Sequence, residues 1–200
     1  MQIIEVAVGN SKEAFIEKRF TKQINLIINN ENNQGKTIVF QSLMYAIGNT
    51  PSFPKGFIPN EYYHFCEFIN KNIKYQVLRK KNTFTIKTND SLLYCNSENE
   101  FRDWFDKNIY ELPKFRNDNG LTKTDLTLFY ELFFLPQDKR NTSNIINKGF
   151  RNKNDFISLV RSLLSPENED IDYEILKELK EKKKRLENDI KNRIKKNEFI

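Results

Sequence analysis

The chain has 200 residues, 33 lysines and arginines against 27 acids, and a formal net charge of +6. That length suits one domain, or one domain with an appendage, and the apolar content with its 17 phenylalanines is enough for a core. No run of about 18 apolar residues occurs, which excludes a membrane-spanning helix, and the N-terminus reads as a strand without a signal-peptide core.

In chain order, Met1 to Val8 alternates through Ile3, Ile4, Val6 and Val8 and reads as a strand. Asn10 to Glu13 is a turn, Ala14 to Phe20 a second strand, and Thr21 to Gln23 a second turn. Leu26, Ile27 and Ile28 then form a short apolar run between turn formers, the pattern of a strand covered on both faces. The polar loop Asn29 to Thr37 follows, and a helix runs to Ile47 with Val39, Phe40, Leu43, Met44 and Ile47 on one face. Gly48 stands as its C′ residue, and Pro51 and Pro54 prevent continuation.

After a proline-containing loop to Asn60, Tyr62–Ile69, Ile73–Arg79 and Thr83–Thr88 are strands joined by short Asn/Lys turns, as in a meander, with Leu92–Cys95 a fourth. Ser97 to Glu100 is a capping box opening a helix to about Ile109, with Phe101, Trp104, Phe105 and Ile109 as its buried stripe. Pro113 to Lys123 reads as a polar loop, Asp125 to Glu131 as helix or strand, and Phe133 to Leu135 as an apolar run stopping at Pro136-Gln137. Asn141 to Asn154 is polar loop, and Asp155 to Leu164 a helix with Phe156, Leu159, Val160 and Leu163 on one face. Ser165-Pro166-Glu167 breaks it. From Ile171 onward the chain lacks Gly and Pro, and Ile175, Leu179, Leu186, Ile190 and Ile194 mark a narrow apolar seam, as in a coiled coil. The domain expectation is a body over 1–165 and the start of an arm over 167–200. A lone charged helix of that length is marginal in water, so a continuation of the chain is expected.

Cys66 and Cys95 fall inside strand-like segments and read as buried thiols of a reducing cytoplasm. His64 has no ligand-spaced partners and is assigned no chemistry. The positive excess permits contact with nucleic acid without demanding it. Its candidate carriers are Lys80, Lys81, Lys139, Arg140, Lys148, Arg151 and Lys153 on loops, and Lys182 to Arg185 on the last helix. There the nearby Glu178, Glu181 and Glu187 favour a solvated face.

The loop before the first helix ends in Gly35-Lys36-Thr37, as a phosphate-binding loop does. A helix N-terminus leaves backbone N–H groups unpaired and presents its positive dipole end, which suits phosphate oxygens. Lys36 would bridge the outer phosphates and the Thr37 hydroxyl would hold Mg²⁺. The full pattern asks for glycine at position 30, where this chain has Asn30, the non-glycine residue most at home at positive φ. Asn30, Asn32, Asn33, Gln34, Gly35, Lys36, Thr37 and Ile38 are the residues expected around the nucleotide.

With these parts in this order, the chain resembles the N-terminal half of an SMC-type ATPase head, as in SMC, RecF, RecN and double-strand-break-repair ATPases. The resemblance covers essentially the whole chain and rests on "INLIINNENNQGKT", the helix "VFQSLMYAIG", the meander, the strand ending in Gln137 and the outgoing helix. It implies an α/β P-loop NTPase fold of the ABC type with an antiparallel meander and an outgoing coiled coil, with ATP and Mg²⁺ as cofactors. Gln137 would be the Q-loop residue, reaching Mg²⁺ or the attacking water. Lys12 stands where the family commonly has a phosphate-touching arginine, with the charge kept and the bidentate fork lost. The resemblance also implies that the Walker B acid, the catalytic glutamate and the signature motif belong to a C-terminal half-head absent from these 200 residues. ATP would be sandwiched between two heads, and this chain alone would hydrolyse it little or not at all. The Asn-rich loop and "FFLPQDKR" are similar to SMC-like ATPases of bacterial anti-phage systems such as the Lamassu type, which implies duplex DNA and an effector or nuclease as partners. A repair or chromosome-maintenance role, and a P-loop fold kept as an interaction module, are the alternatives.

Overall fold

The computed structural model describes residues 1–28, 35–117, 120–135, 153–164 and 169–197. They fall into two compact units, one built from 1–112 and 123–151 and the other from 113–122 and 152–200.

The first unit is organised on a six-stranded antiparallel sheet. Its strands are β1 (Gln2–Gly9), β2 (Ala14–Glu17), β3 (Tyr63–Asn70), β4 (Ile73–Lys80), β5 (Thr83–Lys87) and β6 (Leu92–Cys95), in the order β2-β1-β3-β4-β5-β6. Register aligns Val6, Cys66, Val77 and Ile86 across four strands, and each is fully buried. A period of two makes that one continuous apolar row. Two helices cover this face. α1 (Lys36–Ala46) packs on β1, β3 and β4, and α2 (Glu98–Asn108) packs on β5 and β6. Phe101 of α2 stacks on Phe84 of β5 with ring centroids 4.0 Å apart. α2 opens on the expected capping box: the Ser97 hydroxyl accepts from the Glu100 N–H at 3.2 Å, and Glu100 accepts from the Asn96 N–H at 2.9 Å. The ambiguous segment after Lys123 is a helix, α3 (Leu126–Tyr130), because Asp125 caps it by accepting from the Leu128 N–H at 2.9 Å.

The second unit contains a two-stranded sheet of β7 (Lys114–Asn117) and β8 (Gly120–Lys123), the latter ending at the unit boundary. With it come α4 (Lys153–Leu164), which packs on β7 and buries Leu159, and α5 (Glu169–Asn197). On α5 the seam residues Ile175, Leu179, Leu186 and Ile190 are exposed.

Three sequence expectations are corrected. Residues 24–28 form no strand, and Ile24, Leu26 and Ile28 are 97%, 78% and 73% exposed, with only Ile27 packed against the core. A strand needs a neighbour, and none of the described strands pairs with this segment. The Asn25 side chain instead closes a local loop, accepting from the Thr21 N–H at 2.7 Å and donating to Gln23 O at 2.9 Å. Second, Pro113 to Lys123 is the β7–β8 pair, not a loop, with Gly120 at φ +108° where the second strand begins. Its polar composition concealed the inward Phe115. Third, Phe133 to Leu135 extends the turn after α3, with the Phe134 N–H donating to Tyr130 O at 2.8 Å. Phe133 and Leu135 are exposed, and only Phe134 reaches the core. The break at residues 165–167 and nearly all of the loop assigned to 141–154 lie outside the described residues. The last two of that loop, Lys153 and Asn154, are the start of α4.

Candidate nucleotide-binding site

The site proper is the front of α1. Gly35 takes φ +77° and ψ 4°, the left-handed conformation that costs glycine little and other residues more. Its carbonyl accepts the first helical bond, from the Val39 N–H at 3.2 Å. A Cβ added at Gly35 would meet nothing within 4 Å among the described residues. The N-cap is a glycine, which has no side chain with which to cap the helix, and no acid stands in the helix's first turn. The positive end of the helix dipole is therefore not neutralised by α1's own residues. Lys36, Thr37 and Ile38 make up that first turn and are half-buried. An ammonium, a hydroxyl and the N–H groups of a helix start are a donor set suited to a phosphate chain with its Mg²⁺.

The remaining expected residues divide. Asn30, Asn32, Asn33 and Gln34 of the loop, and Gln137, lie outside the described residues. Lys12 is exposed in the β1–β2 turn, where its N–H donates to Asn10 Oδ1 at 2.9 Å and the neighbouring Glu13 accepts from the Tyr62 hydroxyl at 2.5 Å. These bonds belong to the turn and to Tyr62, and they do not bring Lys12 to α1.

The back of α1 is tied down by residues that sequence reasoning passed over. Arg79, 1% exposed, donates from Nη1 to Tyr45 O and Asn49 O, each at 2.9 Å, and from Nε to Lys81 O at 2.8 Å. Its Nη2 pairs with Glu98 at the start of α2. Tyr130 of α3 donates to Ile47 O at 3.0 Å. Cations and donors at a helix C-terminus satisfy its last carbonyls. Burial pushes the Arg79 pKa down, opposed by Tyr45 and Glu98. The available signal was its place in the alternation Tyr75, Val77, Arg79, which puts all three on the inward face.

Beside it, His64 is fully buried against the rings of Tyr45, Phe53 and Phe57, with Nε2 3.0 Å from Pro59 O. Desolvation lowers its pKa from 6.5 to about 4. This histidine is a neutral core residue, in line with the absence of ligand spacing. Both cysteines are free and buried, and burial pushes the Cys66 thiol well above its ordinary range. Among the described residues no cluster of His, Cys, Asp and Glu could hold a metal ion, and no helix is long and apolar enough to cross a membrane.

The basic residues are only partly placed. Lys80 donates to Glu61 O at 2.7 Å and lies 4.4 Å from the Tyr63 ring centroid. Lys139, Arg140, Lys148 and Arg151 lie outside the described residues, and Lys153 opens α4. On α5, Lys182 to Arg185 are exposed, with Lys183 3.8 Å from Glu187.

No family model matches the chain. Over 68 residues it is 32% identical to the Lamassu protein LmuB of Bacillus sp. (strain NIO-1130). The aligned segment is 34% of this chain and 12% of that relative, so the likeness spans a small part of the Lamassu protein's length.

Proposed function

We propose that the chain is the ATP-binding half of an SMC-like ATPase head that closes on a second head when ATP is bound and acts on DNA in defence against phage. The observation that carries the nucleotide reading is Gly35, left-handed and directly before α1, whose first turn holds Lys36 and Thr37 and no acid. In this reading the first-turn N–H groups and Lys36 hold the phosphates, and the Thr37 hydroxyl holds Mg²⁺. Bound Mg²⁺ supplies charge neutralisation on the phosphates. Gln137 belongs beside the metal. The exposed alternation of Ile24, Leu26 and Ile28 supports the half-head reading: a strand sequence stands beside the loop without a partner strand among the described residues. The partial identity to a Lamassu protein supports the defence role over repair or chromosome maintenance.

Equilibrium binding of Mg²⁺–ATP tests the site. The complete protein should bind, Lys36→Ala should weaken binding at least tenfold, and both should keep the same melting temperature. No ATP affinity in the complete protein would sink the nucleotide reading. It would leave a P-loop fold kept as an interaction module, a reading that the unpaired 24–28 segment also fits. Protection in a phage challenge that survives Lys36→Ala would remove ATP from the defence role.

A further inference from the structure

The two edges of the six-stranded sheet are built differently. β2 at one edge also exposes Phe15 and Ile16 but is bracketed by charge, with Glu13 before it, Glu17 at its end, and Lys18 and Arg19 after it. Such charges are how a sheet edge is kept from pairing with another chain. β6 at the other edge is Leu92-Leu93-Tyr94-Cys95, without a charge, and its first three side chains are 65%, 42% and 65% exposed. Among the described strands only β5 pairs with it, and its far row of backbone groups has no strand partner there.

We infer that β6 pairs antiparallel with β6 of a second copy of this chain, joining two six-stranded sheets about a two-fold axis at Leu93. The choice of a second copy rests on charge and register. Two antiparallel edges related by a two-fold axis keep the same face of each sheet on the same side, so each residue meets one of its own face. The axis must then pass through a residue, and axes at Leu93 and Tyr94 overlap the most of β6. An axis at Tyr94 brings in Asn96, whose N–H is already held by Glu100 at 2.9 Å. An axis at Leu93 uses Ser91 to Cys95 alone. There Leu93 meets its own copy on the helix-covered face, extending the row Val77–Ile86–Leu93. Leu92 meets Tyr94 of the other copy on the opposite face. Every opposed pair from Leu92 to Tyr94 is apolar, so no like charges meet within the paired segment. The contact needs no nucleotide and is independent of the α1 site.

The test uses the full chain without nucleotide, followed by sedimentation over a range of concentrations. The wild type should dimerise reversibly. Tyr94→Lys and Leu92→Glu should each weaken the dimer at least tenfold. Together they should restore it, since in this register each new lysine faces the other copy's new glutamate. Leu93→Cys should give a dimer with a short thiol-to-thiol crosslinker, and Phe15→Cys on the β2 edge should not. Circular dichroism unchanged from wild type shows that these exposed substitutions leave the fold intact. A chain monomeric up to about 1 mM overturns the inference. So does a dimer indifferent to Leu92 and Tyr94, a double variant that fails to recover, or equal crosslinking at both edges; pairing of β6 with a strand of some other protein would show as the first of these.

Discussion

Arg79 and Tyr45 are joined twice: the guanidinium carbon sits 3.6 Å from the centroid of the Tyr45 ring, and Nη1 donates to the Tyr45 carbonyl at 2.9 Å. One buried cation thus holds both the side chain and the main chain at the C-terminal end of α1. It also reaches Asn49 O, Lys81 O and Glu98. Replacement by alanine leaves the Asn49 and Lys81 carbonyls without this donor, while Tyr45 O keeps the Gly48 N–H, and opens a cavity among Tyr45, Phe84 and the helix end. Arg79→Ala should lower stability by about 3 kcal/mol or more in urea unfolding. Arg79→Lys should recover only part of it, because an ammonium cannot reproduce the fork.

His64 makes stability depend on pH. Its folded pKa of about 4 lies below its ordinary value of 6.5, so the folded state binds fewer protons than the unfolded one in that interval. The contribution is therefore full above pH 6.5 and is lost as pH falls toward 4. Over the whole window it amounts to roughly 3 kcal/mol, with a slope of up to about 1.4 kcal/mol per pH unit. His64→Phe should flatten the stability profile between these pH values. The descent that remains below pH 4 belongs to carboxylates such as Glu17, which Arg19 holds down at about 2.

Two left-handed glycines flank α1 and should respond differently to alanine. At Gly48, φ is +97° and a Cβ would lie 2.5 Å from Leu126 Cδ1 and 2.9 Å from Phe101 Cε1. Strain and overpacking together should cost about 3 kcal/mol. At Gly35, φ is +77° with nothing within 4 Å, so the backbone term of about 1 kcal/mol stands alone. Thermal melts of the two variants give the comparison. Under the proposed function Gly35→Ala also weakens ATP binding, while Gly48→Ala leaves the local phosphate contacts in place.

The capping box of α2 offers a smaller test. Ser97→Ala removes the acceptor of the Glu100 N–H, and Glu100→Ala removes that of the Asn96 N–H. Each should cost about 1 kcal/mol in chemical unfolding. The double variant should cost less than the sum, since the two bonds hold the same turn.

Local pattern was enough for much of this protein. The meander from Tyr63 to Cys95, the helix behind Ser97 and the helix start at Gly35-Lys36 were legible because alternation, capping and glycine geometry act within a few residues. What tertiary structure decided is which apolar runs find a partner. Leu26 and Ile28 have the composition of a buried strand yet remain exposed, since burial on two faces needs neighbouring chain that the described residues do not supply. Arg79 marked only the end of a strand in sequence, and it is the clamp of α1 because β4 turns it inward beneath the end of that helix. An inward direction can be read from a period of two. The carbonyls waiting there cannot, because they come from residues about 30 positions away in the chain.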